Sequence, residues 1–488
     1  MRTAAAAIGA DITWVTHEAE AMRTTGTLIG PRYQAHQIES ESSGQRCVSL
    51  GTAGAHVEFT AAAAANALVI RFNLPDAPEG GGARSDLTLR INGKPVRALA
   101  LSSRNMWLYG SYPFSNDPAQ GKPRNFYDEL RVKDVAIAAG DVIRLEKSAA
   151  DDVPCIVDLV DLEQAPGPLA APAGAISVRE FGATGDGRAD DTAALRACIA
   201  AAREQGRVVW IPAGNYKVTG DIILPSSVTI QGAGMWHTTF LGDEALYPQA
   251  DRRVRFKLTG RDIHLADFAI VGALNYRNDS EPNDGIVGAG CRDSSISRVW
   301  IEHTKAGVWI YNGADLLITG CRFRNMLADG VNLCVGTSRS IVENCTARGT
   351  GDDCFAIWPA ASDQVLSTTT SCRAGTSSGA APDSSRFSPT APPSMEARTT
   401  ASRTACSPTS ARVAASCSAP RFRPRTRRGA STTTSAARPS CAIAPCCAAA
   451  ATTTVGAGAA RSRSASTGAA SPACRSATSR SAKVSPTA

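Results

Sequence analysis

The last quarter of the chain has almost nothing from which a core is built. Residues 365–488 hold no Asn, Gln, His, Tyr or Trp, and only one Leu and one Ile. A stretch so poor in large apolar and amide side chains cannot fill a β-structure or offset the entropy of ordering its backbone. Its 15 Arg and one Lys face two acidic residues, a net of +14, while the preceding residues carry 35 basic and 42 acidic groups, a net of −7. The whole-chain value of +7 therefore averages two unlike parts. A basic Arg/Ser tail raises nucleic-acid binding, but this one lacks interleaved aromatics and any repeated motif, so no nucleic-acid partner is expected. Disorder and out-of-frame translation of a G+C-rich gene are the readings left.

Other absences narrow the chemistry. No Cys-x-x-Cys pair or Cys/His cluster suggests zinc, although 15 Cys are present, eight of them before position 365. Cys291, Cys321, Cys345 and Cys354 fall at or near strands, where they read as small apolar residues pointing inward. No run spans a membrane, and MRTAAAAIGA is too short and too weakly apolar for a full secretion signal, so the start reads as truncated or misassigned.

What is present is a period. NDGIVG around Asp284, KAGVWI around Ala306, ADGVNL around Asp329 and TGDDCF around Asp352 recur at spacings of 22, 23 and 23. Apolar-alternating runs of matching phase lie between them: ISRVWI from Ile296, ITGCRF from Ile318 and IVENCT from Ile341. Short strands at a fixed period with Asn, Gly and Asp at the corners read as a parallel β-helix. Equivalent positions then sit about 4.8 Å apart, which stacks Asp329 on Asp352 and places Asp353 beside them. Carboxylates crowded on one surface drive a pKa upward, so one can hold a proton while a neighbour stays ionised. That is what glycoside hydrolysis requires. Asp-Gly at a corner is also ordinary turn chemistry, and Asp284, set apart by Ala306, fits that reading as well as a substrate contact. Trp309, Asn332 and Trp358 are the other candidate substrate contacts.

The span Ile176–Gln364 resembles a pectate-lyase-type right-handed β-helix, and FGATGDGRADDTAALRACIAAA is similar to the opening of that superfamily. Asp190 and Asp191 are N-cap candidates, and Ala194, Leu195, Cys198, Ile199 and Ala202 have helical spacing. In the superfamily such a helix covers the open end of the β-helix. More narrowly, DGVNL followed by GTGDDCFAIW, after a β-rich N-terminal domain, resembles glycoside hydrolase family 87, the α-1,3-glucanases and mycodextranases. The resemblance covers about three quarters of the chain. It implies hydrolysis of α-1,3-glucosidic bonds with inversion, no cofactor for catalysis, an α-glucan partner and an extracellular location, with Asp329, Asp352 and Asp353 catalytic. Analogy with polygalacturonases makes Asp352 the acid and Asp329 with Asp353 the water-activating pair. Polygalacturonases also carry Gly-His-Gly and Arg-Ile-Lys downstream, whereas all six His here precede position 304, which argues against galacturonan. The alternatives are another β-helix carbohydrate enzyme, of polygalacturonase or lyase type, and a non-catalytic glycan-binding or tailspike-like protein.

The fold expected is all-β. A jelly-roll-like sandwich occupies 11–166, with runs such as HVEF, ALVIRF and LTLRING broken by turn residues, and a Pro/Ala linker occupies 167–175. A truncated β-helix covers 176–364 and an out-of-frame tail 365–488; a monomer is expected. THEAEAM and CIVDLVDLE resemble the first and last strands of carbohydrate-binding modules that share a structural calcium, which makes Glu18, Glu20 and Asp158 candidate ligands. The other reading is solvated carboxylates on edge strands. Trp107 and Tyr109 read either as core or as a sugar-stacking pair. In a shifted frame Ala397–Ala419 can be rewritten as ADNRIEDCVLTDVSAGCGILLS, the form of one more coil. The β-helix is therefore expected to stop after the Asp pair, leaving the given chain poorly folded and weakly active.

Overall fold

The computed structural model describes residues 10–149, 151–358, 371–373 and 376–378. Residues 14–163 form two antiparallel sheets. One has the order Thr27–Ile29, Cys47–Leu50, Cys155–Glu163, Ala65–Asn73, Asp128–Ile137, with Trp14–Glu18 also paired to Cys155–Glu163. The other runs Arg23–Thr24, His56–Thr60, Val142–Lys147, Arg84–Ile91, Lys94–Ser102. Alternation fills the space between them. Ile143 and Leu145 enter the core, whereas Val142 and Arg144 stay half-buried. Cys155–Glu163 breaks that pattern, being buried at every position. It is covered on both faces, by the sandwich core and by the second domain.

From Ile176 onward every strand pairing is parallel, in a 14-stranded and a 6-stranded sheet wound into a β-helix. The 6-stranded sheet stacks Asp221–Leu224, Arg255–Leu258, Ile286–Ala289, Val308–Tyr311, Val331–Cys334 and Phe355–Trp358. Its inward residues, Phe256, Ile286, Val308, Val331 and Phe355, meet one continuous core, where Phe240, Phe256 and Phe268 pack with ring centroids 5.0–5.6 Å apart. Cys291, Cys321, Cys345 and Cys354 are buried and unbridged.

The expected helix is Thr192–Glu204, and Leu195, Cys198, Ile199 and Ala202 are its buried face, laid on the first coil. Its start differs from expectation. Asp190 accepts from the Thr192 N–H at 3.0 Å, while Asp191 makes no cap and holds the preceding turn, accepting from the Thr184 and Gly185 N–H groups at 2.7 and 3.1 Å.

Two boundaries need correction. The β-helix does not end at 364: Ser371–Arg373 pairs with Ile341–Glu343, and Thr376–Ser378 with Thr346–Arg348, continuing both ladders by one short step. The rest of 365–488 lies outside the described residues. The two domains are also joined by more than a linker. Arg322, Arg324 and Arg348, on the β-helix strands, meet Glu129, Asp161 and Glu163 of the sandwich. Arg322 bonds Glu163 at 2.6 and 2.7 Å, and Arg348 bonds Asp161 at 2.8 Å and also Glu129. Asp128 accepts from Asn325 and pairs with His303, both at 2.7 Å. Burial pushes the Glu129 carboxyl up, but Arg348 and Arg324 outweigh it and hold the group below its usual range.

Candidate active site

The corners of the 6-stranded sheet carry the aspartates. Gly285 donates to the Ala306 carbonyl at 2.9 Å, Gly307 to that of Asp329 at 3.0 Å and Gly330 to that of Asp353 at 3.0 Å. The column is therefore Asp284, Ala306, Asp329, Asp353, and the strand register agrees, with Ile286, Val308, Val331 and Phe355 in line. This corrects the expected stacking of Asp329 on Asp352. Asp353 continues the column and Asp352 precedes it, because the last coil is one residue longer. The recurring glycine has a steric reason. A Cβ at Gly307 would lie 2.4 Å from the Phe323 ring, and one at Gly330 would lie 2.4 Å from the Cys354 carbonyl.

The column brings the three carboxyls together under unlike conditions. Asp329 is buried, accepts from Asn332 Nδ2 at 2.5 Å and from the Asp353 N–H at 3.1 Å, and lies in the field of both neighbours. Burial first, then the charges of Asp352 and Asp353, push its pKa up to about 7, against the lowering effect of Asn332. Asp352 is the exposed member, and its Oδ2 accepts from Arg277 Nη2 at 2.8 Å. Arg277 in turn holds Asp279 through Nε and Nη2 at 3.0 and 3.1 Å. A crowded site thus raises the pKa of Asp329, while Asp352 is held by a charge-assisted hydrogen bond from Arg277.

Consecutive family models described as α-1,3-glucanase catalytic domain D1 and D2 match residues 11–165 and 190–377, well over half of the chain. The chain belongs to glycoside hydrolase family 87, the α-1,3-glucanases. Among solved structures, the Agl-KA catalytic domain superposes with a TM-score of 0.72 at 29% identity, over 77% of this chain and 69% of that one. The catalytic unit of the thermostable GH87 α-1,3-glucanase of Streptomyces thermodiastaticus gives 0.66 at 33% identity, over 76% and 64%. A GH87 α-1,3-glucanase catalytic domain in complex with nigerose gives 0.66 at 25%, over 76% and 65%. Solved GH87 domains that carry one aspartate changed to alanine, bound to nigerose or tetrasaccharides, involve three positions, the second 23 residues after the first and the third immediately following. Asp329, Asp352 and Asp353 have that same spacing. Among curated proteins, the pre-neck appendage protein of Bacillus phage B103 is 30% identical over 185 residues, and this chain spans only 20% of its length. Alginate lyase 7 of Azotobacter vinelandii is 44% identical over 70 residues, 8% of its length.

On the family's β-helix, Trp309 and Asn332 are register partners on the outward face, one strand apart and beside Asp329. Among the described residues Trp309 Nε1 and Asn332 Oδ1 are buried polar atoms with no hydrogen-bond partner. Asp284 is committed elsewhere, with its carboxylate 3.2 Å from Lys305 Nζ and both side chains buried. Burial pushes the Asp284 carboxyl up and Lys305 opposes the shift. Trp358 ends the strand opposite Cys334, and its side chain lies outside the described residues. Several residues of the site carry no mark in the sequence. Tyr311, half exposed, lies 6.0 Å from the Trp309 ring, and Lys305 lies 5.0 Å over that ring. Arg277 and Asp279 come from a loop that interrupts the period, and loop length was the signal available.

The calcium expectation does not fit. Asp158 is fully buried, ion-paired with Arg71, and accepts from the Ser43 N–H at 2.9 Å; Glu18 accepts from Ser43 Oγ at 2.9 Å. The Arg71 guanidinium already pairs with the carboxylate of Asp158. Among the described residues no group of three or more His, Cys, Asp or Glu is arranged to hold a metal. Burial, then the Asp158 charge, push Glu18 up to about 7. Trp107 and Tyr109 follow the core reading: Trp107 Nε1 bonds the Leu74 carbonyl at 2.8 Å and Tyr109 is buried against it.

Proposed function

We propose that this chain hydrolyses α-1,3-glucosidic bonds of an extracellular α-glucan, α-1,3-glucan or nigeran, with inversion at the anomeric carbon. The observation that carries the reading is the triad itself: Asp329, raised to about 7, faces the two consecutive carboxyls of the next coil, at the spacing of the aspartates replaced in sugar-bound family members. The charge of the cleft supports a neutral substrate. Among the described residues the cleft cations Arg277 and Lys305 are each paired with carboxylates, so a polyanion such as galacturonan or alginate meets repulsion.

In this mechanism Asp329 and Asp353 hold the attacking water between them and, with Asp329 ionised, take up its proton as the water attacks. Asp352, at the rim, protonates the leaving oxygen from the opposite face of the sugar. The raised pKa of Asp329 favours a second reading, in which Asp329 is the donor. The pH profile separates the two. With Asp329 in the water pair, activity falls below about pH 7 as it takes up a proton; with Asp329 as donor, activity falls above about pH 7. Reducing-end release from α-1,3-glucan, nigeran, dextran and polygalacturonate tests the substrate, and release from polygalacturonate alone overturns the proposal. The out-of-frame origin of the tail is tested by resequencing codons 358–372, where an intact frame refutes it.

A further inference from the structure

We propose that Arg277 and Asp279 are positioning residues that place Asp352 and balance its charge, and that the sandwich domain holds both of them in the cleft through Tyr112 and Phe114. The inference rests on reading Asp352 as the proton donor.

The geometry is a chain of four links. Phe114, in a loop of the sandwich, forms a two-way backbone bridge with Arg277: its N–H donates to the Arg277 carbonyl at 3.1 Å and its carbonyl accepts from the Arg277 N–H at 3.0 Å. Tyr112 Oη accepts from the Asp279 N–H at 2.9 Å. The Tyr112 and Phe114 rings pack edge to face at 5.9 Å, and the Arg124 guanidinium caps Phe114 at 4.0 Å. Arg277, 8% exposed, then reaches Asp352 Oδ2 at 2.8 Å and the Gly351 carbonyl at 3.4 Å. Two residues of one domain therefore fix a guanidinium that grips a carboxylate of the other.

The charges explain why a donor can tolerate an arginine. Alone, Arg277 would set an uncompensated cation 2.8 Å from Asp352. Asp279 takes the guanidinium face to face, so the Arg277–Asp279 pair is neutral as a unit and offers Asp352 a directed hydrogen bond with little net positive field. The other groups facing Asp352 are the carboxyls of Asp329 and Asp353, which oppose its ionisation, and Lys305, which points its Nζ at the Asp279 carbonyl at 3.4 Å and is balanced by Asp284. The Tyr112 hydroxyl is uncharged. Removing the charge of Asp279 alone thus exposes Asp352 to an uncompensated cation.

The test is the pH dependence of kcat/KM on a nigero-oligosaccharide for the full chain and for Asp279→Asn, Arg277→Gln, Arg277→Lys and Tyr112→Phe, with melting midpoints measured alongside. Asp279→Asn is expected to move the alkaline limb down by about one pH unit with KM nearly unchanged. Arg277→Gln is expected to move that limb up and to lower kcat about tenfold or more, with partial recovery in Arg277→Lys. Tyr112→Phe, which loses only the hydroxyl, is expected to lower kcat a few-fold at unchanged KM. An alkaline limb that stays put in both Asp279→Asn and Arg277→Gln overturns the inference. Asp352→Asn on α-nigerosyl fluoride, whose leaving group needs no proton, tests the underlying reading separately: turnover near that of the parent chain supports Asp352 as donor, and its loss removes that role.

Discussion

The β-helix presents carboxylates on two of its sides and treats them in opposite ways. Where it meets the sandwich, the acids face basic side chains: Glu163 with Arg322, Asp161 with Arg348, Glu129 with Arg348 and Arg324, and Asp128 with His303. In the cleft, acids of adjacent coils face one another, and one arginine, shared with Asp279, serves Asp352. The first arrangement holds Glu129 below its usual pKa and the second lifts Asp329 to about 7. Burial is common to both, so the sign of the neighbours decides whether a buried carboxyl is a joint or a proton store. Acids set against bases join the domains, and acids set against acids form the cleft.

Breaking each side should therefore give opposite phenotypes. The largest effect is on turnover. Asp329→Asn, Asp352→Asn and Asp353→Asn should each lower kcat on α-1,3-glucan at least about a hundredfold while the melting midpoint stays within a few degrees; near-parent turnover in all three would dissolve the distinction. On the docked side, Arg348→Met leaves Asp161 without its arginine and Glu129 with Arg324 alone, and should cost about 3–5 kcal/mol of stability by denaturant titration. Losing less than about 1 kcal/mol there would show that the interface ion pairs are replaceable.

A smaller effect sharpens the comparison through pH. Asp329 has its pKa raised from about 4 in the unfolded chain to about 7 in the folded one. Its ionisation opposes folding, so its contribution is intact below pH 4 and is lost as pH rises towards 7. Asp329→Asn should gain stability over the parent across that window, on the order of 1–2 kcal/mol by pH 8. A gain that shrinks with rising pH would have the wrong sign. The smallest expected effect is none: excess chelator should leave the melting curve unchanged, because Arg71 already neutralises Asp158. A lowered midpoint would restore calcium to the sandwich.

The period, the parallel winding and the covering helix were legible because each is local. Glycine recurs where a Cβ would strike the next coil, and apolar residues alternate into one core. The triad was legible as composition and misplaced by one residue in register. TGDDCF was aligned on its first Asp, whereas Cys354 stands in the column of Gly330 and so Asp353, not Asp352, continues Asp329. What was hidden is long-range. Arg71 and Asp158 are 87 residues apart, Phe114 and Arg277 far more, and no periodicity connects them. The arginines of the docked side alternate along their strands as solvent-facing residues would, and only the sandwich packed over them makes them interior. The two strands at 371–378 were likewise unseen, since SCR and TSS carry no apolar pattern.

The most direct measurement is proton NMR of the anomeric signals during the first minutes of cleavage of a defined α-1,3-linked oligosaccharide by the full chain. Water delivered by Asp329 and Asp353 opposite a proton from Asp352 predicts that the β-anomer of the new reducing end appears first and mutarotates afterwards. The α-anomer appearing first, or the vinylic signal of an unsaturated sugar, would contradict the account.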